Sequence, residues 1–269
     1  MSNLKLGLAG WGFREMSLRE YFDAAARLGL GSIELNCRAD VPAHLRVDFD
    51  QQDVAEVLDC ATDEKIEIVA LSTQNDFTQS DPALLNSQVA QLRRSIELTS
   101  KLGAQYVRVV LGNDNQAGLA ALEKALRNLQ EAGKFADSFG LKLALENGVG
   151  PLRSSRDCLE IMQQLRAYPV GLLYNPANFA RDGDDPVRTV ELLGEYVCYG
   201  HLADWDGKRV CAVGRGTIDW KSVMNVLSQY PLEFALIEYP HPEDIELGTA
   251  SSQKKLTSLL RGLSRNSGP

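Results

Sequence analysis

Three residues stand where apolar runs end and a charge is costly: Glu146 after Leu143-Ala144-Leu145, His201 after Val197-Cys198-Tyr199-Gly200, and Glu238 after Phe234-Ala235-Leu236-Ile237. An ionised carboxylate in such a place needs a partner, because desolvation penalises its charge. Two carboxylates and an imidazole meeting at one point suit a divalent cation. They equally suit one shared proton, which makes an acid/base pair. For either glutamate alone, an arginine or lysine from a neighbouring strand would satisfy the charge just as well. His201 alone would read as a satisfied buried histidine; its position gives it weight.

These residues are far apart in the chain, so the fold must bring them together. Eight times an apolar β-type run is followed by a helix-length amphipathic stretch. Strands are expected at residues 4–9, 32–36, 66–72, 106–110, 142–146, 170–174, 197–202 and 233–238. Helices are expected at about 17–29, 50–64, 81–102, 116–139, 154–167, 186–193, 218–228 and 251–263, with Gly103 and Gly140 as C-terminal stops. Leu119, Leu122, Leu126, Leu129 and Phe135 show the helical period. The strands are short and nearly all apolar, as buried parallel strands are. The alternation predicts a (β/α)8 TIM barrel, with residues 1–269 forming one domain and 264–269 a frayed tail; the 269-residue length agrees with the roughly 250 residues typical of such barrels. No G-x-G-x-x-G follows the first strand and no Walker sequence occurs, so nucleotide-binding open sheets lack support.

In such a barrel the active site lies where strands end and βα loops begin. That rule selects Glu34, Glu146, Asn175, Asn178, His201 and Glu238. Trp11 and Phe13, after the first strand, are expected to wall a pocket or to pack the rim. Glu34 would bond a substrate hydroxyl or pair with Arg38 or another rim cation. Arg215, in Gly214-Arg215-Gly216 before a helix, could meet an anion together with free backbone N–H groups, with Thr217 as the helix cap. His241, between Pro240 and Pro242, reads as a turn residue, and His44 as a loop residue without a role.

The net charge of −8 disfavours a phosphate backbone as partner, so no nucleic acid is expected. Cys37, Cys60, Cys158, Cys198 and Cys211 are odd in number and form no C-x-x-C, which reads as reduced thiols in a cytoplasmic protein. The start of the sequence does not read as a signal peptide, and no run is apolar and long enough to span a membrane.

Ile33-Glu34-Leu35, Ala144-Leu145-Glu146-Asn147, Asn175-Pro176-Ala177-Asn178, His201-Leu202-Ala203-Asp204, Val213 to Trp220 and Ile237-Glu238, in this order, resemble the xylose-isomerase-like barrel superfamily. That superfamily comprises sugar isomerases and epimerases, together with endonuclease IV-type (AP endonuclease family 2) repair enzymes. The resemblance implies one divalent metal (Mn, Mg, Co or Zn) held by Glu146, position 175, His201 and Glu238. The family has Asp at the second of these, where this chain has Asn175. An amide oxygen can coordinate, but it brings no charge, so affinity for a hard cation should fall. Asn178 replaces a histidine of some relatives. The repair enzymes use a histidine-rich three-zinc cluster, whereas this chain has only His44, His201 and His241.

The resemblance implies proton transfer beside a carbohydrate carbonyl, through an enediolate, with Glu146 and Glu238 as the transfer groups and a homo-oligomer as a common assembly. Without a cation, the two carboxylates should repel and one pKa should rise. The same first step would serve a dehydratase of a keto-polyol such as a keto-inositol. Asn175 also leaves open a metal-poor, non-catalytic sugar-binding protein.

Overall fold

The computed structural model describes residues 4–38 and 44–266. In chain order the elements are β1 (Lys5–Leu8), α1 (Leu18–Arg27), β2 (Ser32–Cys37), α2 (Gln51–Glu64), β3 (Glu67–Thr73), α3 (Pro82–Lys101), β4 (Tyr106–Val109), α4 (Leu119–Asp137), β5 (Lys142–Glu146) and α5 (Ser155–Leu165). There follow β6 (Val170–Tyr174), α6 (Pro176–Arg181), α7 (Pro186–Leu193), β7 (Val197–Leu202), β8 (Asp204–Trp205), β9 (Val210–Cys211), α8 (Trp220–Leu227), β10 (Phe234–Ile237) and α9 (Ile245–Asn266). Eight parallel strands close in the order β1-β10-β7-β6-β5-β4-β3-β2, the expected TIM barrel. Leu8 pairs with Ile237 of β10 and with Ile33 of β2, which closes the ring.

Local chemistry sets the helix ends. Ser17 with Glu20, Asp50 with Asp53, and Ser154 with Asp157 form capping boxes at α1, α2 and α5. Asp81 and Asp185 cap helices that begin on proline. Gly29, Gly103 and Gly140, just past α1, α3 and α4, take the left-handed conformation that ends a helix at little cost.

Two cores result. Val69, Ala144, Leu173, Tyr199, Phe234 and Leu236 fill the barrel interior. Residues such as Ile33, Val107, Leu143 and Leu172 pack outward under the helices. Each fully buried large side chain stabilises the fold by roughly 1.5–3 kcal/mol. Cys37, Cys60, Cys158 and Cys198 are buried and Cys211 partly so, all as free thiols.

The structure departs from the sequence expectation in three places. Helix α6 was not foreseen; Asn175 caps it and Pro176 opens it, in a segment whose asparagines read as rim residues. The β8–β9 hairpin follows β7, pairing Asp204 with Cys211 and Trp205 with Val210. Helix α9 starts at Ile245, not at 251, and continues through Asn266, so the tail is helical across 264–266; residues 267–269 lie outside the described residues. Gly248 breaks the apolar pattern there because a Cβ would come within 2.2 Å of the Tyr239 ring. No helix among the described residues is long and apolar enough to cross a membrane.

Candidate active site

Strand geometry explains why distant residues converge. Successive side chains point to opposite faces, so a residue two positions beyond an interior one also faces inward, one layer nearer the strand end. Tyr199 leads to His201, Ala144 to Glu146, Leu236 to Glu238, Leu173 to Asn175 and Tyr106 to Arg108. All five reach the same rim. One ligand atom each from Glu146, His201 and Glu238 lies within 4.8 Å of the others. With Trp11, Glu34, Arg38, Ser72, Gln74, Arg108, Val110 and Val149 they line a cavity of about 320 Å³.

Arg108, on β4, is the residue the sequence reading missed. Its Nε donates to Glu146 Oε2 at 2.7 Å, its Nη2 donates to the same oxygen, and its Nη1 donates to the Thr73 carbonyl at 2.8 Å. The neighbouring-strand ion pair raised as an alternative therefore exists for Glu146. It accompanies the cluster and does not replace it: Arg108 sits against Oε2, whereas Oε1 of Glu146 lies 3.7 Å from His201 Nδ1. The signal was available, since Arg108 interrupts the apolar alternation of Tyr106-Val107-Arg108-Val109.

Glu34 is also more than a rim group. Its Oε2 accepts from the Tyr199 hydroxyl at 2.7 Å and meets His201 Nε2 at 3.0 Å. The rim partner is His201 and not Arg38, and the contact fixes the imidazole ring. His201 Nδ1 is buried without a hydrogen-bond partner and faces Glu146 Oε1 and Glu238 Oε1 at 3.7 and 3.9 Å. Glu34 Oε1 is likewise buried and unpartnered.

Asn175 joins the two acids. Its Nδ2 donates to Glu146 Oε1 at 3.2 Å and to Glu238 Oε2 at 2.8 Å, while its Oδ1 accepts from Asn178 N at the start of α6. The amide nitrogen, not the oxygen expected as a ligand, thus points into the cluster. Reversing the amide would set its oxygen against two carboxylates and lose the cap, so the network fixes this orientation. Asn147 holds the strand ends together, with Oδ1 accepting from Asn175 N at 2.7 Å and Nδ2 donating to its carbonyl at 3.0 Å.

Burial disfavours charge on every member, and the partners decide the outcome. At Glu146 burial is opposed and outweighed by Arg108 and His201, which hold the carboxyl well below its ordinary range. At His201 burial is outweighed by Glu34, Glu146 and Glu238, so the imidazole pKa rises well above the ordinary value. At Glu238 burial, supported by Glu146 and Glu34 against His201 and Asn175, pushes the carboxyl up. The two carboxyls are thus pushed in opposite directions, as expected for facing acids without a cation, and Arg108 is the charge that separates them.

The same groups fit a divalent cation. An unpartnered imidazole nitrogen between two carboxylate oxygens is a three-ligand arrangement, and a carboxylate on the far nitrogen is the usual support of a metal-bound histidine. The fourth donor, Asn175, would have to turn its amide oxygen inward.

Of the other expected site residues, Trp11 is on the cavity wall and the rest are off it. Trp11 lines the cavity, stacked by Arg14 at 4.4 Å and Arg38 at 5.0 Å. Phe13 is buried in the outer core and is not part of the wall. Asn178 is outside the cavity wall; its Nδ2 donates to the Asn147 carbonyl and its Oδ1 accepts from Arg181. Arg215 is exposed and off the cavity. The donors around it are already taken: Asp204 accepts from the backbone N–H groups of Gly214 at 2.8 Å, Ile218 at 3.2 Å and Trp205 at 2.9 Å, and from the Trp220 indole Nε1 at 2.8 Å. Gly216 permits this loop, since a Cβ would fall 2.3 Å from Asp204 Oδ1. Asp219, not Thr217, caps α8. His241 Nε2 contacts the Val210 carbonyl at 2.7 Å and anchors the hairpin. His44 is structural: it stacks on Tyr21 at 4.1 Å, accepts from Asn36 N and meets the Phe13 carbonyl.

A family model described as xylose isomerase-like TIM barrel matches residues 22–259. No curated protein matches the chain. Among solved structures, an IolI protein with a bound zinc atom superposes with a TM-score of 0.78 at 19% identity, covering 95% of this chain and 98% of that one. An L-ribulose 3-epimerase gives 0.80 at 16% identity, covering 98% and 96%. A probable 3-DHS dehydratase, AsbF, from Bacillus anthracis gives 0.79 at 14% identity, covering 94% and 99%. At these identities the likeness is one of fold.

Proposed function

The chain belongs to the xylose isomerase-like TIM barrel family, and on that premise we propose that it is an isomerase or epimerase of a small carbohydrate, working by glutamate proton transfer beside a carbonyl. The observation that carries this reading is the unpartnered His201 Nδ1, buried between the Oε1 atoms of Glu146 and Glu238 at the floor of the cavity. An unsatisfied buried nitrogen is costly, and a fold retains it where something binds.

Glu146, His201 and Glu238 would hold a divalent cation, with Asn175 as a weaker fourth donor. When bound, the cation supplies polarisation of the substrate carbonyl and stabilises negative charge developing on its oxygen. The remaining work belongs to the chain. Glu34 fixes the His201 ring through Nε2 and so presents Nδ1 to the cluster. Arg108 anchors Glu146 by Oε2 and leaves Oε1 facing the cavity side. Glu238 has no arginine partner among the described residues and is the more exposed acid, with 16% of its side chain accessible against 5% for Glu146. Glu238 therefore takes the carbon-bound proton, and Glu146 Oε1 serves the second transfer. Trp11 covers the apolar face of the substrate, and Glu34 Oε1 accepts from a substrate hydroxyl.

The test is product analysis of Mn²⁺-loaded protein incubated with ketoses, keto-acids and keto-inositols. An isomerase or epimerase converts a substrate to a product of unchanged mass. A product that has lost water would assign the protein as a dehydratase instead, and no conversion of any compound would refute the enzymatic reading.

A further inference from the structure

A second cavity, of about 250 Å³, adjoins the first and shares Arg38 and Gln74 with it. It lies between the ends of β2 and β3 and helix α3, and its wall is rich in amides: Gln74, Asn75, Gln79, Gln88, Gln91 and Asn113. Three of these amides are half-committed. Gln79 Nε2 donates to Asp76 Oδ2 at 2.7 Å, which leaves its carbonyl oxygen. Gln88 Oε1 accepts from Asp76 N at 3.0 Å, which leaves its NH₂ group. Gln91 meets Ser87 Oγ at 3.3 Å, and because a hydroxyl donates or accepts, its amide can present either end to the cavity.

Asp76 thus fixes the direction of the Gln79 and Gln88 amides and presents an acceptor and a donor side by side. Asp76 adds no bare charge, because Oδ1 accepts from Thr78 N, Thr78 Oγ1 and Asn113 N, and Oδ2 from Gln79. A carboxylate accepts only, so it would meet the Gln79 carbonyl unfavourably. A sugar hydroxyl both donates and accepts, and it matches the alternation.

We propose that this cavity is a subsite for an uncharged polyhydroxylated group, so that the substrate extends beyond its reacting carbons by a further sugar ring or polyol arm. This rests on the function proposed above and adds the substrate's length and polarity.

Calorimetry or ligand-observed NMR with D-fructose and the keto-disaccharide lactulose tests it, on the Mn²⁺-loaded protein. Lactulose should bind wild type at least about fivefold more tightly than fructose, the worth of roughly one neutral hydrogen bond. Gln91→Met, which removes an amide of the second cavity that is not part of the first, should reduce lactulose affinity by about that factor. Gln91→Trp, which fills the subsite, should remove the advantage entirely. Fructose binding should be unchanged in both. Equal binding of the two sugars to wild type, or an advantage that survives both variants, overturns the subsite while fructose binding leaves the catalytic cavity standing. Failure of lactulose alone to bind overturns the subsite only, and failure of both sugars overturns both readings.

Discussion

Replacing Arg108 with methionine keeps much of the side-chain volume and deletes the only cation in contact with Glu146 Oε2 among the described residues. The pair is deep, with 13% of the arginine and 5% of the glutamate side chain accessible. Breaking a buried pair by removing one partner costs about 3–5 kcal/mol, since the remaining charge stays desolvated. The Thr73 carbonyl also loses its Nη1 donor. At about 2 °C per kcal/mol for a chain of this size, the melting temperature should fall by roughly 6–10 °C. The sign with pH is fixed. Glu146 is held below its ordinary value of 4.5, so its contribution is present above that value and is lost as pH falls. In the variant the carboxyl is free to rise, so the difference from wild type should be largest at pH 7 and shrink below about 4.5. Urea unfolding in EDTA at several pH values measures this. Excess Mn²⁺ should narrow the gap by supplying positive charge to Glu146. A difference under about 1 kcal/mol at pH 7, or one that does not change with pH, would refute the assignment of Arg108 as the counter-charge.

Asn175→Asp puts a third carboxylate where an amide now donates to both glutamates at 3.2 and 2.8 Å. It should destabilise the metal-free protein and raise Mn²⁺ affinity roughly tenfold or more by calorimetry; unchanged affinity would count against the four-donor geometry. Burial, set only partly against the Phe13 carbonyl, lowers the His44 pKa from 6.5 to about 4. The unfolded chain therefore takes up this proton first, and stability falls as pH drops from 6.5 towards 4, by about 3 kcal/mol at 1.36 kcal/mol per pH unit. His44→Gln should flatten that part of the curve, and an unchanged slope would place the dependence elsewhere. Asp204→Ala strands four donors and should cost about 3 kcal/mol or more in urea unfolding; a near-neutral result would mean that water replaces the carboxylate.

The barrel was legible because each strand is a short apolar run between caps and stops that the sequence carries in the open, such as Ser17, Asp50, Gly103 and Gly140. The convergence of Glu146, His201 and Glu238 was legible because the strand-end rule acts on sequence position alone. Arg108 obeys the same rule and was passed over, because the reading searched for acids and imidazoles and not for the cation that an acid would need. Glu34 was found as a rim residue, but its role was hidden: its partners Tyr199 and His201 lie on β7, which meets β2 only across the barrel lumen. Arg215 misled because the sequence showed the donors near a helix start but not that Asp204, ten residues before Gly214, is already seated among them. The direction of the Asn175 amide depends on Asn178 N and two distant carboxylates together, which no local pattern encodes.

The central claim is that Glu146 and Glu238 move a carbon-bound proton of a carbonyl substrate, and incubation in D₂O reads it most directly. Mn²⁺-loaded wild type given the ketose it binds should place solvent deuterium at a carbon next to the carbonyl, seen by NMR and mass spectrometry, while Glu238→Gln should place none and Glu146→Gln should exchange hydrogen without converting the ketose, each folded as judged by its melt. Binding of the ketose by wild type without any carbon-bound deuterium, or incorporation that persists in Glu238→Gln, would contradict it.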